Sequence, residues 1–128
     1  MQEMQIEPGT GFLSRNSYLK LTSDLVDQVA QSGESLAVLW IDIDRFKYVN
    51  DSFGYQGADR IVAMVAERIR EQTKGKSEIC RMAVDEFLLL LPDYDVDATE
   101  TLCIDLMRAL ELPLEMGDFK VRLTVSIG

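Results

Sequence analysis

Tyr18, Leu21, Leu25 and Val29 recur at helical spacing among polar neighbours, which predicts an amphipathic helix over 15–31 that Gly33 closes. Leu36 to Ile43 is a nearly unbroken apolar run, too short for a globular helix. It predicts a strand buried on both faces and therefore central in its sheet. A short helical piece over 46–53 follows, broken by Gly54 and Gly57. The next helix, over 57–73, carries Ile61, Val65 and Ile69 on one face, with Val62 and Ala66 beside them; Lys74-Gly75-Lys76 stops it. Two strands, 78–82 and 86–91, are separated only by Ala83-Val84-Asp85, the spacing of a tight hairpin, and Pro92 ends the second. Asp97 and Glu100 have the spacing of a capping box that opens a helix with Leu102, Leu106 and Ala109 on its buried stripe. The alternation of Phe119, Val121, Leu123, Val125 and Ile127 predicts a last strand.

After the first helix the order is therefore βααββαβ. Two crossovers of βαβ type around a central hairpin predict an α+β, ferredoxin-like α/β sandwich, with helices packed on a mostly antiparallel sheet. No repeat, low-complexity tract or linker interrupts the 128 residues, so 1–128 reads as a single domain. A chain that stops on a strand at Gly128 also predicts that C-terminal closing elements lie elsewhere in a larger protein.

Composition narrows the chemistry. With 13 Lys+Arg against 22 Asp+Glu, the formal net charge is −9, which disfavours nucleic acid and anionic membrane as partners. The absence of histidine removes Ser-His-Asp and Cys-His nucleophiles and every His-ligated metal site. What remains is carboxylate, amide, Lys/Arg and backbone chemistry, which suits hard cations bound through oxygen. Cys80 and Cys103 lack CxxC spacing and read as buried thiols of a reducing cytoplasm. Met1 to Pro8 has neither the basic region nor the apolar core of a signal peptide, and no apolar run approaches the roughly 18 residues that span a bilayer. A cytoplasmic segment without direct membrane contact is expected, and a parent protein anchored in the inner membrane is compatible with it.

Two motif-like stretches dissolve on inspection. Asp93-Tyr94-Asp95-Val96-Asp97 begins like a calcium loop, but Ala98 and Ile104 stand where its glycine and its bidentate glutamate belong. Gly9-Thr10-Gly11 has neither the third glycine nor the preceding strand of a dinucleotide fingerprint, and no Walker A sequence occurs.

One constellation carries information. Asp42 and Asp44 lie two residues apart at the end of the central strand, so both side chains leave the same face. Lys47 and Asn50 follow on the next helical piece. A hairpin beside the central strand would bring Asp85, at its tip, close to Asp42. Two carboxylates with a backbone carbonyl between them make a cradle for Mg²⁺ and a nucleoside triphosphate.

With these residues in view the sequence resembles the GGDEF family, the diguanylate cyclase domains that join two GTP molecules into cyclic di-GMP. The matching pieces are Thr10-Gly11-Phe12-Leu13-Ser14-Arg15, Asp42 through Gly54, Gly57-Ala58-Asp59, Arg81-Met82-Ala83-Val84-Asp85-Glu86-Phe87, and Thr124-Val125-Ser126-Ile127-Gly128. They run in order along essentially the whole chain, and the family's cyclase-type sandwich agrees with the element order. The resemblance implies that Asp42, the Ile43 carbonyl and Asp85 hold metal, with Asp85, beside Glu86, as the catalytic acid. It implies a catalytic role for Glu86 as well, that Asn50 and Asp59 bind guanine, and that Phe46 and Lys47 approach the triphosphate. Two Mg²⁺ ions would accompany GTP. The implied reaction is attack of a 3′-hydroxyl on the α-phosphate of a second GTP, across a head-to-tail homodimer.

The signature itself departs from the family. Ala83 and Val84 replace both glycines of the motif, and glycines at a hairpin tip permit positive φ and close approach of a ligand. Val84 is expected to be strained there and to intrude on the nucleotide. Tyr55 and Ala58 replace the usual His and Gly, and Lys74 to Ser77 lack the Arg-x-x-Asp of product inhibition. The Lys and Arg of the family's closing region fall beyond Gly128, which is either a boundary of the sequence or a real loss. These departures imply a degenerate, catalytically inactive module for GTP sensing or protein interaction, beside an EAL phosphodiesterase or a sensory domain in the same polypeptide. An active diguanylate cyclase with a shifted hairpin is the alternative, and a purely structural dimerisation domain is a third reading.

Overall fold

The computed structural model describes residues 12–75 and 77–128. The expectations about 1–11, including the Gly9-Thr10-Gly11 stretch and the start of the first family match, and about Lys76, lie outside the described residues. Helix α1 (Arg15–Ser32) starts at Ser14, whose hydroxyl accepts the Ser17 N–H, and ends at the left-handed Gly33. Strand β1 (Leu36–Ile43), helix α2 (Phe46–Thr73), strands β2 (Glu78–Ala83) and β3 (Glu86–Pro92), and helix α3 (Val96–Glu111) follow. Strands β4 (Leu114–Met116), β5 (Phe119–Val121) and β6 (Val125–Ile127) complete the order.

The main sheet has the order β2-β3-β1-β6, and all three of its pairings are antiparallel. One face packs on α2 and α3: Leu39, Ile41 and Ile43 of β1 meet Ile61, Val65 and Ile69 of α2 and Leu102, Leu106 and Leu110 of α3. On the other face α1 places Tyr18 with Cys80, Leu88 and Leu90. The α+β sandwich expected from the element order is the one observed.

Four local expectations are corrected. Strand β1 is central, but Val38 and Trp40 are 49% and 44% exposed, because α1 packs chiefly on β2 and β3 and leaves that face of β1 open. The C-terminal alternation is not one strand. Phe119–Val121 pairs with Leu114–Met116 in a separate hairpin, and only Val125–Ile127 joins the main sheet. Val121, Leu123 and Val125 still turn inward while Phe119 is 70% exposed, since alternation encodes the buried side and not the ladder partner.

Helix α3 is capped by Asp95 and not by Asp97. The Asp95 carboxylate accepts the Ala98 N–H at 2.8 Å, and the Thr99 hydroxyl donates to the Asp95 carbonyl. Its buried stripe closes on Leu110, one turn after Leu106, with Ala109 half-buried beside it. Finally, Gly57 does not break α2. It lies within the helix, where a Cβ would meet that of Phe53 at 2.7 Å. The break is Gly54, at φ 70° and ψ 175°, a region essentially reserved for glycine. Cys80 is buried as expected, Cys103 is only half-buried, and neither forms a disulfide.

Candidate functional site

Strand β1 delivers its carboxylates because Ile41 and Ile43 bury themselves against α2 and α3, so Asp42 and Asp44 must leave on the opposite side. Asp42 faces Glu86 of β3 and Ser126 of β6 in the ladder. The β2–β3 hairpin turns at Val84-Asp85, and the Ile43 N–H donates to the Asp85 carbonyl at 3.0 Å, which ties the tip to the end of β1. Carboxylate oxygens of Asp42, Asp85 and Glu86 consequently lie within 4.8 Å of one another.

The two aspartates of β1 have opposite fates. The Asp42 carboxyl is held above its ordinary range, first by burial and then by the negative charges of Asp85 and Glu86. Asp44 is held below its ordinary range by hydroxyl donors: Ser126 and Thr124 each reach it at 2.7 Å. Asp44 is thus committed to fastening β6 to β1. Asp42 is left in a cluster of like charges whose natural counter-charge is a cation. Three carboxylates without nitrogen or sulfur donors fit a hard divalent ion such as Mg²⁺. The Ile43 carbonyl lies in the same stretch of β1 as Asp42.

Beside the carboxylates, a cleft of about 600 Å³ is lined by Phe46, Asn50, Tyr55, Asp59, Arg81, Met82, Ala83 and Val84. Its two amide- and acid-bearing residues come from either side of the Gly54 kink, which turns α2 so that both reach one wall. Phe46, at 8% exposure, is a buried part of the wall. Lys47 is exposed on the first turn of α2 and does not line the cleft. The hairpin joins the two regions: Ala83 and Val84 line the cleft, and Asp85 and Glu86 enter the carboxylate cluster. Asn50, Asp59 and Phe46 are therefore brought together, as are Asp42, Asp85 and Glu86, whereas Lys47 stands apart.

Sequence reasoning gave no role to Arg81. Its Nε and Nη2 donate to the Val84 carbonyl at 3.0 and 2.8 Å. The signal was a lone basic residue on β2, two positions before Ala83 and near enough along the chain for its side chain to reach the tip. The expected strain at the tip is also corrected. Neither Ala83 nor Val84 has positive φ, because a register shift between Arg81 and Ala83 lets the turn close without a left-handed residue.

The family model "Diguanylate cyclase, GGDEF domain" matches residues 5–128. The chain belongs to the GGDEF family. Among curated relatives, it is 34% identical over 103 residues to the bifunctional diguanylate cyclase/cyclic di-GMP phosphodiesterase MucR of Pseudomonas aeruginosa, covering 80% of this chain and 15% of that protein. It is 32% identical over 127 residues to the oxygen sensor protein DosP of Escherichia coli, covering 99% of this chain and 15% of that one. The chain thus spans about 15% of the length of these relatives. Among solved structures, a sensory box/GGDEF family protein from Caulobacter crescentus superposes with a TM-score of 0.86 at 31% identity, covering 96% of this chain and 80% of that one. Among the described residues no helix is long and apolar enough to cross a membrane.

Proposed function

We propose that this chain is a catalytically inactive GGDEF domain that binds GTP with Mg²⁺ as a regulatory signal in cyclic di-GMP signalling. The observation that carries the reading is the cleft wall. Asn50 and Asp59 line a cleft of about 600 Å³, roomy enough to admit a guanine base, while the side chains of Ala83 and Val84 occupy the wall where the family has bare glycine backbone. Val84 is 53% exposed and lines the cleft, so in this reading its branched side chain stands in the way of a nucleotide there. In this reading Asn50 and Asp59 hold the base, Phe46 and Lys47 lie along the phosphates, and Asp42, Asp85, Glu86 and the Ile43 carbonyl hold the metal. When bound, Mg²⁺ would neutralise phosphate charge that the acidic chain cannot. Such a module would sit in the cytoplasm within a larger signalling protein, beside a phosphodiesterase or sensory domain of the kind named in its relatives, and could pair with a second copy.

The test is incubation with GTP and Mg²⁺, followed by assay for cyclic di-GMP and by a thermal melt. No product and a GTP-dependent rise in Tm are expected, since a ligand of the folded state alone stabilises it. Sustained turnover would overturn the inactive reading. No Tm shift would leave a structural dimerisation domain.

One observation favours a second reading, an active diguanylate cyclase. The Ala83-Val84 tip closes without positive φ and still sets Asp85 beside Asp42. That reading requires Asp85→Ala to abolish product while the melt of the unliganded domain is preserved.

A further inference from the structure

Two-residue hairpin turns ordinarily use left-handed residues, because their twist then matches that of the flanking strands. The turn at Val84-Asp85 has none. Something else must hold its two peptide carbonyls in place. The Asp85 carbonyl is taken by the Ile43 N–H of β1 at 3.0 Å. The Val84 carbonyl is taken from the other side by the Arg81 guanidinium, through two N–H groups at 3.0 and 2.8 Å. Arg81 stands immediately before the register shift and pairs with Phe87, which is fully buried, so its backbone is anchored in the sheet while its fork reaches forward to the tip. A planar fork converging on one carbonyl fixes direction as well as distance, which a point charge does not.

We propose that Arg81 is a positioning residue: by clamping the Val84 carbonyl it fixes the turn at Val84-Asp85 and thereby sets Asp85 against Asp42 to receive a divalent cation. The inference deepens the metal-binding reading above and rests on it. It does not depend on whether the domain turns over GTP.

The experiment compares wild type, Arg81→Ala, Arg81→Gln, Arg81→Lys and Asp85→Asn by Mn²⁺ titration, followed through water-proton relaxation, and by amide hydrogen exchange. Arg81→Ala is expected to weaken Mn²⁺ binding roughly tenfold, the scale of a charge-assisted hydrogen bond. It should also speed exchange of the Ile43 amide, which reports docking of the tip on β1. Exchange of the Trp40 amide, which donates to the Gly128 carbonyl on the opposite side of β1, should stay unchanged. Gln should behave like Ala, and Lys should recover only part of the loss. Wild-type Mn²⁺ affinity in Arg81→Ala, or unaltered Ile43 exchange, overturns the clamp while Mn²⁺ binding by wild type and its loss in Asp85→Asn leave the metal reading intact. Absence of Mn²⁺ binding by wild type overturns the metal reading itself, and the proposed purpose of the clamp with it. Equal acceleration at Ile43 and Trp40 would mean general loosening of β1 and would also overturn the clamp.

Discussion

Asp42 of β1 and Glu86 of β3 stand directly opposite each other across the central strand pair, two carboxylates where a sheet normally avoids like charges. Asp85 adds a third, whereas Asp44, just past the end of β1, is stabilised as a carboxylate by the hydroxyls of Thr124 and Ser126. The fold therefore separates one strand end into a charge-crowded half and a hydrogen-bonded half.

Opposite pH signatures follow from that separation. Asp42 has its folded-state acidity weakened, so its ionisation opposes folding, and the penalty disappears as pH falls through its raised value towards 3.8. Without divalent cation, Asp42→Asn should stabilise the domain at pH 7 by roughly 0.2–1 kcal/mol, the scale of a cross-strand pair, and the gain should fade towards pH 4. Asp44 is strengthened as an acid, so it contributes stability above 3.8 that is lost as pH falls below it. Asp44→Asn should therefore destabilise at pH 7 and matter progressively less in strong acid. Urea denaturation at a series of pH values measures both, and a common sign at pH 7 would contradict the assignment.

Val84 lines the cleft and immediately precedes Asp85 of the carboxylate cluster. Because it is 53% exposed, Val84→Gly should lose only about 0.5–1 kcal/mol of stability, mostly backbone entropy. If its side chain obstructs the nucleotide, the same variant should bind GTP with Mg²⁺ more tightly than wild type. Calorimetric titration decides the point, and unchanged affinity would acquit the side chain.

Gly54 sets the angle between the two parts of α2 that carry Asn50 and Asp59. Its φ and ψ are closed to residues with a Cβ although the space around it is open. Gly54→Ala should cost roughly 1–3 kcal/mol from backbone strain alone. Relaxation of the kink should also move Asn50 relative to Asp59 and weaken GTP binding by more than the stability loss explains. Parallel melts and GTP titrations distinguish the two effects.

The start of α3 tests which aspartate caps it. Asp95→Ala should destabilise by roughly 0.5–2 kcal/mol, because the Ala98 N–H loses its acceptor. Asp97→Ala should change stability by less, since Asp97 only sits in the favourable field of the first turn. Equal losses would contradict the observed cap.

Much of the architecture was readable locally. The 3.6-residue repeat of Ile61, Val65 and Ile69 specifies the buried face of α2, the apolar run ending at Ile43 specifies a central strand, and the short gap before Asp85 specifies a hairpin. These patterns depend on neighbours within a few residues. They also sufficed to bring Asp42 and Asp85 together, because a tight hairpin against a central strand leaves its tip few places to go.

The cap at Asp95 instead of Asp97 was less legible, since both residues have acceptors at suitable spacing and only the entering backbone selects one. The same holds for the C-terminal alternation: period two marks an inward side, but cannot say that Phe119 pairs with Met116 while Val125 pairs with Ile43.

By itself, then, the sequence determined most of the elements and their inward sides, a histidine-free carboxylate chemistry and the family to which the chain belongs. Only the tertiary structure decided that Asp44 is committed to Thr124 and Ser126, 80 and 82 positions away, and that Asp42 is left to Asp85 and Glu86. It alone showed the Arg81 fork and register shift accompanying a tip without left-handed residues. The physical reason is that periodicity is a property of one segment, whereas a hydrogen-bond partner or a counter-charge is a property of two segments brought together by packing.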